Sequence, residues 1–189
     1  RPLRVALVAD PAGRGGVASA VAAAVHQAGR WLEDAGYVVE EVEPPELGAV
    51  ADLWAAIAME DTIAALEPAA AHHGDEGIKR ALGLWRAVHP PRDVRHVLDG
   101  LAQRDRLLRL WELFLEDRPL VVTPTSNEPA FPVHLDLVDA DTTWRIMRAQ
   151  IMQLVVPVLG LPAVSVPTGV ADGLPTGVQI TAGRFREDL

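Results

Sequence analysis

The chain has 189 residues, 49% hydrophobic and 23% charged, enough to bury one sizeable core, so a single globular unit over 1–189 is expected. A net charge of −9, with Lys79 the one lysine among 17 basic residues, argues against a nucleic-acid or anionic-membrane surface. The absence of cysteine removes disulfides, thiolate metal sites and a cysteine nucleophile. The longest apolar stretch, Leu154–Val166, is interrupted by Pro157, Gly160 and Pro162 and is too short to cross a bilayer. No basic-then-apolar leader opens the chain, and a cytoplasmic location is expected. Beginning Arg-Pro and stopping at Glu187-Asp188-Leu189 with no closing element, the chain reads as a piece of something longer.

Leu3–Ala9 is a short apolar run that predicts a buried strand, ending at Asp10-Pro11. After a loop with Gly13, Gly15 and Gly16, a stripe of Val17, Val21, Ala24, Val25, Ala28, Trp31, Leu32 and Ala35 predicts a helix stopped by Gly36. Tyr37–Val42 is a second strand, and this strand–helix–strand opening implies two parallel neighbours in one sheet. Gly13–Ala18 fits a permissive G-x-G-x-x-A dinucleotide fingerprint, with Glu40 or Glu41 near a ribose hydroxyl. Asp10 and Pro11 stand where that fingerprint wants an immediate turn, which favours a plain connecting loop.

Leu47–Leu66 is predicted helical, with Val50, Ala51, Trp54, Ile57, Ala58 and Asp61 on one face and Pro68 beyond its end. His72–Glu76 places imidazoles beside carboxylates, but adjacent residues point apart, so a solvated polar loop is expected rather than a metal site. Glu76–Val88 is a modest helix. Asp93–Glu116 is the longest, with an apolar stripe of Val94, Val97, Leu98, Leu101, Leu108, Trp111 and Leu115. The five tryptophans, all in helical segments, are expected to serve core packing rather than a ligand-stacking box.

Leu120–Thr123 is a third strand, followed by the turn-rich loop Pro124–Pro129. Asp141, Thr142 or Thr143 caps the next helix, which carries Trp144, Met147, Ile151, Leu154 and Val158 on one side and must be distorted near Pro157. Two short buried strands, Ala163–Val166 and Gly177–Thr181, close the chain, joined by a long turned connection through Pro167, Gly169, Asp172-Gly173 and Pro175. The fold class is α/β, a mixed β-sheet flanked by helices.

The residue order in this last stretch is more specific than its composition. Gly160-Leu-Pro-Ala-Val-Ser-Val-Pro-Thr-Gly169, then Gly173-Leu-Pro-Thr-Gly-Val-Gln-Ile180, then Phe185-Arg-Glu-Asp-Leu189 resembles the C-terminal sheet segment of amidase-signature hydrolases, which cleave carboxamides. Leu120-Val-Val-Thr-Pro-Thr125 resembles a second family segment, whose loop lies beside the acyl pocket. The resemblance implies the C-terminal portion of that fold, with no cofactor and no metal, and an amide as small-molecule partner. By position it implies pocket walls from Thr123 and Thr125 in the loop, and from Trp144, Met147 and Gln150 on the following helix. Family members that draw ammonia from glutamine carry an acid where Gln150 falls here. A neutral amide cannot balance a buried ammonium, so an uncharged, apolar or aromatic amide is the expected substrate.

The family's catalytic set is a lysine, a serine with a cis peptide bond and a nucleophilic serine in a Gly/Ser-rich stretch, and nothing here matches it. The only serines are Ser19, Ser126 and Ser165, none in a nucleophile elbow. Lys79 sits in polar sequence, Ser165 is expected to bond backbone in a buried strand, and a triad of Ser126, His134 and Asp136 exists only on paper. The expected role is therefore pocket wall and shared sheet without catalytic residues, inactive alone. An open sheet edge would then associate with the missing N-terminal portion or with a second copy. Two other readings stay open: a non-catalytic α/β module for a small molecule, and a nucleotide-binding domain built on Gly13–Ala18.

Overall fold

A computed structural model describes residues 2–13 and 16–189. Strand β1 (Arg4–Leu7) runs parallel to β2 (Val38–Glu41) on one side and to β3 (Leu120–Pro124) on the other. Strand β3 pairs antiparallel with β5 (Leu174–Ala182), and β5 antiparallel with β4 (Ala163–Ala171). The order β2-β1-β3-β5-β4 makes one mixed five-stranded sheet. Side chains alternate across it. Val5, Leu7, Leu120, Val122 and Val178 face helix α1 (Ser19–Asp34), where they meet Val25 and Ala28. The close approach depends on Gly29, where a Cβ would stand 3.0 Å from a methyl of Leu7.

The opposite face, through Ala6, Val8 and Val121, shares a core with α2 (Leu47–Trp54), α5 (Val94–Asp117) and α7 (Ile151–Leu159). The chain also forms α3 (Glu60–His73), α4 (Glu76–Val88) and α6 (Ala140–Ala149). Trp111 of α5 is fully buried there and its indole N–H donates to the Pro45 carbonyl at 2.9 Å.

Several expectations are corrected. The Leu47–Leu66 helix extends to His73, through Pro68, because the carbonyl of Ala64 that loses its donor lies on an exposed turn where water can meet it. His72 and His73 therefore close a helix rather than form a loop. Between α2 and α3 the chain makes a π-helical turn, Ala55–Met59. That turn inserts one residue into the helical phase, so the buried positions run Val50, Ala51, Leu53, Ala56, Met59 and Ile63, while Asp61 is exposed. On α5 only the second half of the apolar stripe is covered: Leu108, Trp111 and Leu115 are buried, but Val94 and Leu98 are 75% and 59% exposed. Trp31 likewise stands half exposed at the end of α1.

The connection expected between the last two strands is instead a two-residue hairpin turn. Asp172 and Gly173 both take positive φ, 50° and 78°, and the two strands extend to meet them. Pro167 is accommodated because β4 is an edge strand with an irregularity between Pro167 and Gly169. Strand β4 is largely exposed, not buried, and Ser165 on it faces the Thr125 hydroxyl at 3.3 Å rather than backbone.

Trp111 provides a stability test. Trp111→Phe should cost about 1–2 kcal/mol by stranding the Pro45 carbonyl, and Trp111→Ala about 3–5 kcal/mol by opening a cavity. Urea midpoints should fall in that order; equal midpoints would show that the indole N–H bond contributes nothing.

Candidate functional site

The loop after β3 is the point from which the site is built. The Asn127 N–H donates to the Ala149 carbonyl at 2.7 Å, and its own carbonyl accepts from the Ala18 N–H at 2.9 Å. With the Ala149 carbonyl taken, the helix ladder breaks, and Gln150 leaves helical geometry at φ −97° and ψ 27°. The helix predicted as one piece is thus two, α6 and α7, with the break at Gln150. Pro157 lies within α7, whose end is set by Gly160 in the left-handed region.

At its other end α6 is capped by Asp139, whose carboxylate accepts from the Thr142 N–H at 2.8 Å; that bond holds the Asp139 carboxyl below its ordinary range. The cap is Asp139, not Asp141, Thr142 or Thr143. Arg80 of α4 reaches the carbonyls of Leu137 and Val138, fastening α4 to the start of α6. The consequence is a fixed gap between α2, the end of α4 and the joined α6–α7.

That gap is a cavity of about 310 Å³. Trp144, Met147, Arg148, Ile151 and Leu154 line it from one side, Asp52 and Trp54 of α2 with Ala55 at the start of the π turn from another, and Val88, His89 and Arg92 from the end of α4 onward. The volume suits a small organic ligand, and the walls are mostly apolar and aromatic. His89 and Trp144 meet edge to face, with ring centroids 5.8 Å apart. The His89 Nε2 is buried with no hydrogen-bond partner among the described residues. Burial, and next the positive charge of Arg92, push the His89 pKa below its ordinary 6.5.

A second depression, about 410 Å³, adjoins the first and shares Trp144, Arg148 and Ile151 with it. It lies past the carboxyl ends of the parallel strands β1 and β3, at Pro11 and Asn127, where open α/β sheets receive ligands. Glu128 and Arg145 pair across it at 2.5 Å. Asn127 is 6% exposed, and its Oδ1 is buried without a partner among the described residues.

Of the residues singled out from sequence, Trp144 and Met147 come together on the first cavity. Thr123 is fully buried in β3, its hydroxyl without a partner among the described residues. Thr125 is half-buried beside Ser165, and its carbonyl accepts from the Gln153 side chain at 3.3 Å. Gln150 sits at the helix break and borders neither depression. Sequence reasoning missed Trp54 and His89. Trp54 lies on the core stripe expected of it, at the end of α2, half-buried where the core meets the cavity. Core packing accounts fully for Trp111 alone among the tryptophans, since Trp54 and Trp144 line the cavity.

The other sequence candidates are placed as follows. The Ser126 hydroxyl accepts from the Glu128 N–H at 3.3 Å, with no hydrogen bond to His134 or Asp136 among the described residues. Lys79 pairs with Glu76 at 3.2 Å on an exposed face. Arg14 and Gly15 of the Gly13–Ala18 motif lie outside the described residues. The Glu40 carboxylate is engaged by Arg4 and Arg118, at 2.6 and 2.9 Å, and the Arg4 bond holds its pKa below the usual range. Among the described residues no group of three or more His, Asp or Glu is arranged to hold a metal, and no helix is long and apolar enough to cross a membrane.

The family model that matches this chain is described as amidase, and it matches residues 1–189. The chain belongs to the amidase-signature family. Indoleacetamide hydrolase of Bradyrhizobium japonicum is 35% identical over 189 residues, which is 100% of this chain and 40% of that protein. Among solved structures, allophanate hydrolase of Kluyveromyces lactis superposes with a TM-score of 0.78 at 19% identity, covering 97% of this chain and 30% of its own. A bacterial aryl acylamidase of the amidase-signature family gives 0.68 at 21%, covering 97% and 40%. The α/β sheet described above is thus the amidase-signature fold, and the chain spans about 40% of the length of that indoleacetamide hydrolase.

For this amidase-signature chain, the neutral His89 makes a checkable statement about pH. An imidazole whose pKa is lowered by folding supports stability above pH 6.5, and that support is lost as the pH falls below it. A two-dimensional NMR titration should place the His89 midpoint below 6.5, and His89→Gln should flatten the acid-side loss of stability. A midpoint at or above 6.5 would refute the buried, neutral ring.

Proposed function

We propose that this chain is the C-terminal portion of an amidase that hydrolyses an uncharged aromatic amide to its acid and ammonia through an acyl-serine, and that it supplies pocket wall and sheet but no catalytic residue. The observation that carries the reading is the cavity between Trp54, Trp144, Met147 and Leu154, a largely apolar slot for a flat ring, edged by Asp52, His89, Arg92 and Arg148, that adjoins the depression at the strand ends. The ring occupies the slot, and the carboxamide extends toward Asn127. The relative acting on indoleacetamide makes an arylacetamide the first substrate to test.

Amide hydrolysis needs a nucleophile, a group to move its proton, and donors for the tetrahedral oxyanion. Neither the exposed Lys79–Glu76 pair nor any of the three serines meets that need in this chain. Upstream polypeptide of the same protein supplies it. The same polypeptide is the fitting cover for the exposed β4 edge, with Val164 and Val170 at 55% and 72% exposure, and for the bare stripe on α5.

The test is ammonia release from indole-3-acetamide and phenylacetamide. The 189-residue chain should release none, and the same chain extended upstream to the length of its relatives should release ammonia from both. Turnover by the 189-residue chain that Ser126→Ala abolishes would overturn the assignment.

A further inference from the structure

The apolar cavity has a feature that an amide-cleaving pocket wall does not require. Its aromatic and thioether walls, Trp54, Trp144 and Met147, select for a flat apolar ring but cannot tell one ring from another of the same size. Set among them is one polar ring, His89, and its Nε2 is buried with no partner among the described residues. Buried polar atoms in native structures are paired, and those left bare mark a place that a ligand or a water completes.

The charge state decides what kind of ligand atom fits. A protonated imidazole offers donors on both nitrogens and would call for an acceptor. Burial and the nearby Arg92 keep this ring neutral, so one nitrogen holds a lone pair. Acceptor groups of a ligand have Arg92 on the same cavity wall to meet. In the Nδ1–H tautomer that lone pair is on the bare Nε2, the group it lacks is a donor, and on a flat ring the donor that stays in the plane of the slot is a ring N–H.

We propose that His89 is a specificity-determining residue, whose Nε2 accepts a hydrogen bond from a ring N–H of an aromatic amide seated between Trp54 and Trp144. This rests on the amidase reading for the nature of the ligand, and extends it from any apolar aromatic amide to nitrogen heteroaromatics bearing N–H. No side-chain hydrogen bond tethers the His89 ring among the described residues, so a small turn of the imidazole brings Nε2 to the ligand. Trp144, 43% exposed, has room to follow it. His89 does not touch the scissile bond. It acts by rejecting rings that leave its nitrogen bare, the stronger of the two ways a pocket discriminates.

The experiment is calorimetric titration of the 189-residue chain with indole-3-acetamide and with its 1-methyl analogue, which keeps the ring and replaces N–H by N–CH3. The first should bind about tenfold more tightly, as expected for a gain near one ordinary hydrogen bond. His89→Phe keeps an aromatic ring against Trp144 and should erase the difference. His89→Gln, which restores an acceptor, should recover part of it. Circular dichroism and thermal melting establish that each variant is folded. Equal binding of the two probes, an N–H preference that survives in folded His89→Phe, or no binding of either probe would each overturn the proposal. A His89 present only to pack against Trp144 would lower both affinities alike. The ammonia assay separates the two readings: selective binding without hydrolysis by the extended chain would sink the amidase reading alone, and hydrolysis with equal binding would sink this one alone.

Discussion

Two backbone hydrogen bonds at one residue organise the functional side of the molecule. Asn127 gives its N–H to Ala149 and its carbonyl to Ala18, joining the loop after β3 to the start of α1 and to the end of α6. A buried backbone donor must find a partner, and here it takes one from a helix. The helix answers by breaking: the Gln153 N–H turns to Gln150 at 2.9 Å, and α7 leaves at a new angle. Trp144 and Met147 before the break and Ile151 and Leu154 after it line the same cavity. A loop one sheet-layer away therefore shapes the pocket without contributing most of its surface.

The sheet divides the same way. On its α1 face, hydrophobic residues continue from β1 through β3 to β5 and close a dry core. On the other face the apolar surface ends at Val121, and the neighbouring positions are Thr123, Thr181 and Gln179, aligned across β3 and β5 and then with Ser165 on β4. Hydroxyls and an amide in one row are costly to bury without partners, and the Thr123 hydroxyl has none among the described residues. Thr123, Thr181 and Gln179 are buried within the chain itself, and only the β4 edge beyond them is left exposed, where on the proposed reading further polypeptide of the same protein would meet it.

How much of this was legible from sequence depended on how local each cause was. The parallel opening, the strand at Leu120 and the wording around Gly160 and Gly173 are written in short runs, and the mixed α/β sheet follows them. The Asp172-Gly173 turn was also written there, but Pro167 and Gly169 beside it suggested a longer loop, because a proline is allowed in a strand only at an edge and edge position is a tertiary fact. The break at Gln150 was invisible for the same reason: its cause is Asn127, more than twenty residues away. Likewise the exposure of Val94 and Leu98 could not be read from their spacing, since a helical stripe states what wants covering and not whether this chain covers it.

The π turn is the sharpest instance, and it bears on function. Periodicity put Trp54, Ile57, Ala58 and Asp61 on one stripe with Val50, and a regular helix would have driven a carboxylate toward the core. One inserted residue in the turn moves the later stripe to Met59 and Ile63, both fully buried, while Trp54 just before the turn and Ala55 at its start line the cavity. Helix α5 accepts the wider turn because Gly100 lies against it, where a Cβ would come within 3.3 Å of Ile57 and 3.6 Å of Ala56. The π turn thus keeps Asp61 out of the core, a short way along from a tryptophan that lines the cavity with Trp144. Such turns gather at functional sites. Here the reason is phase, since one extra residue is the smallest change that lets a single helix serve a core on one stretch and a ligand cavity on the next.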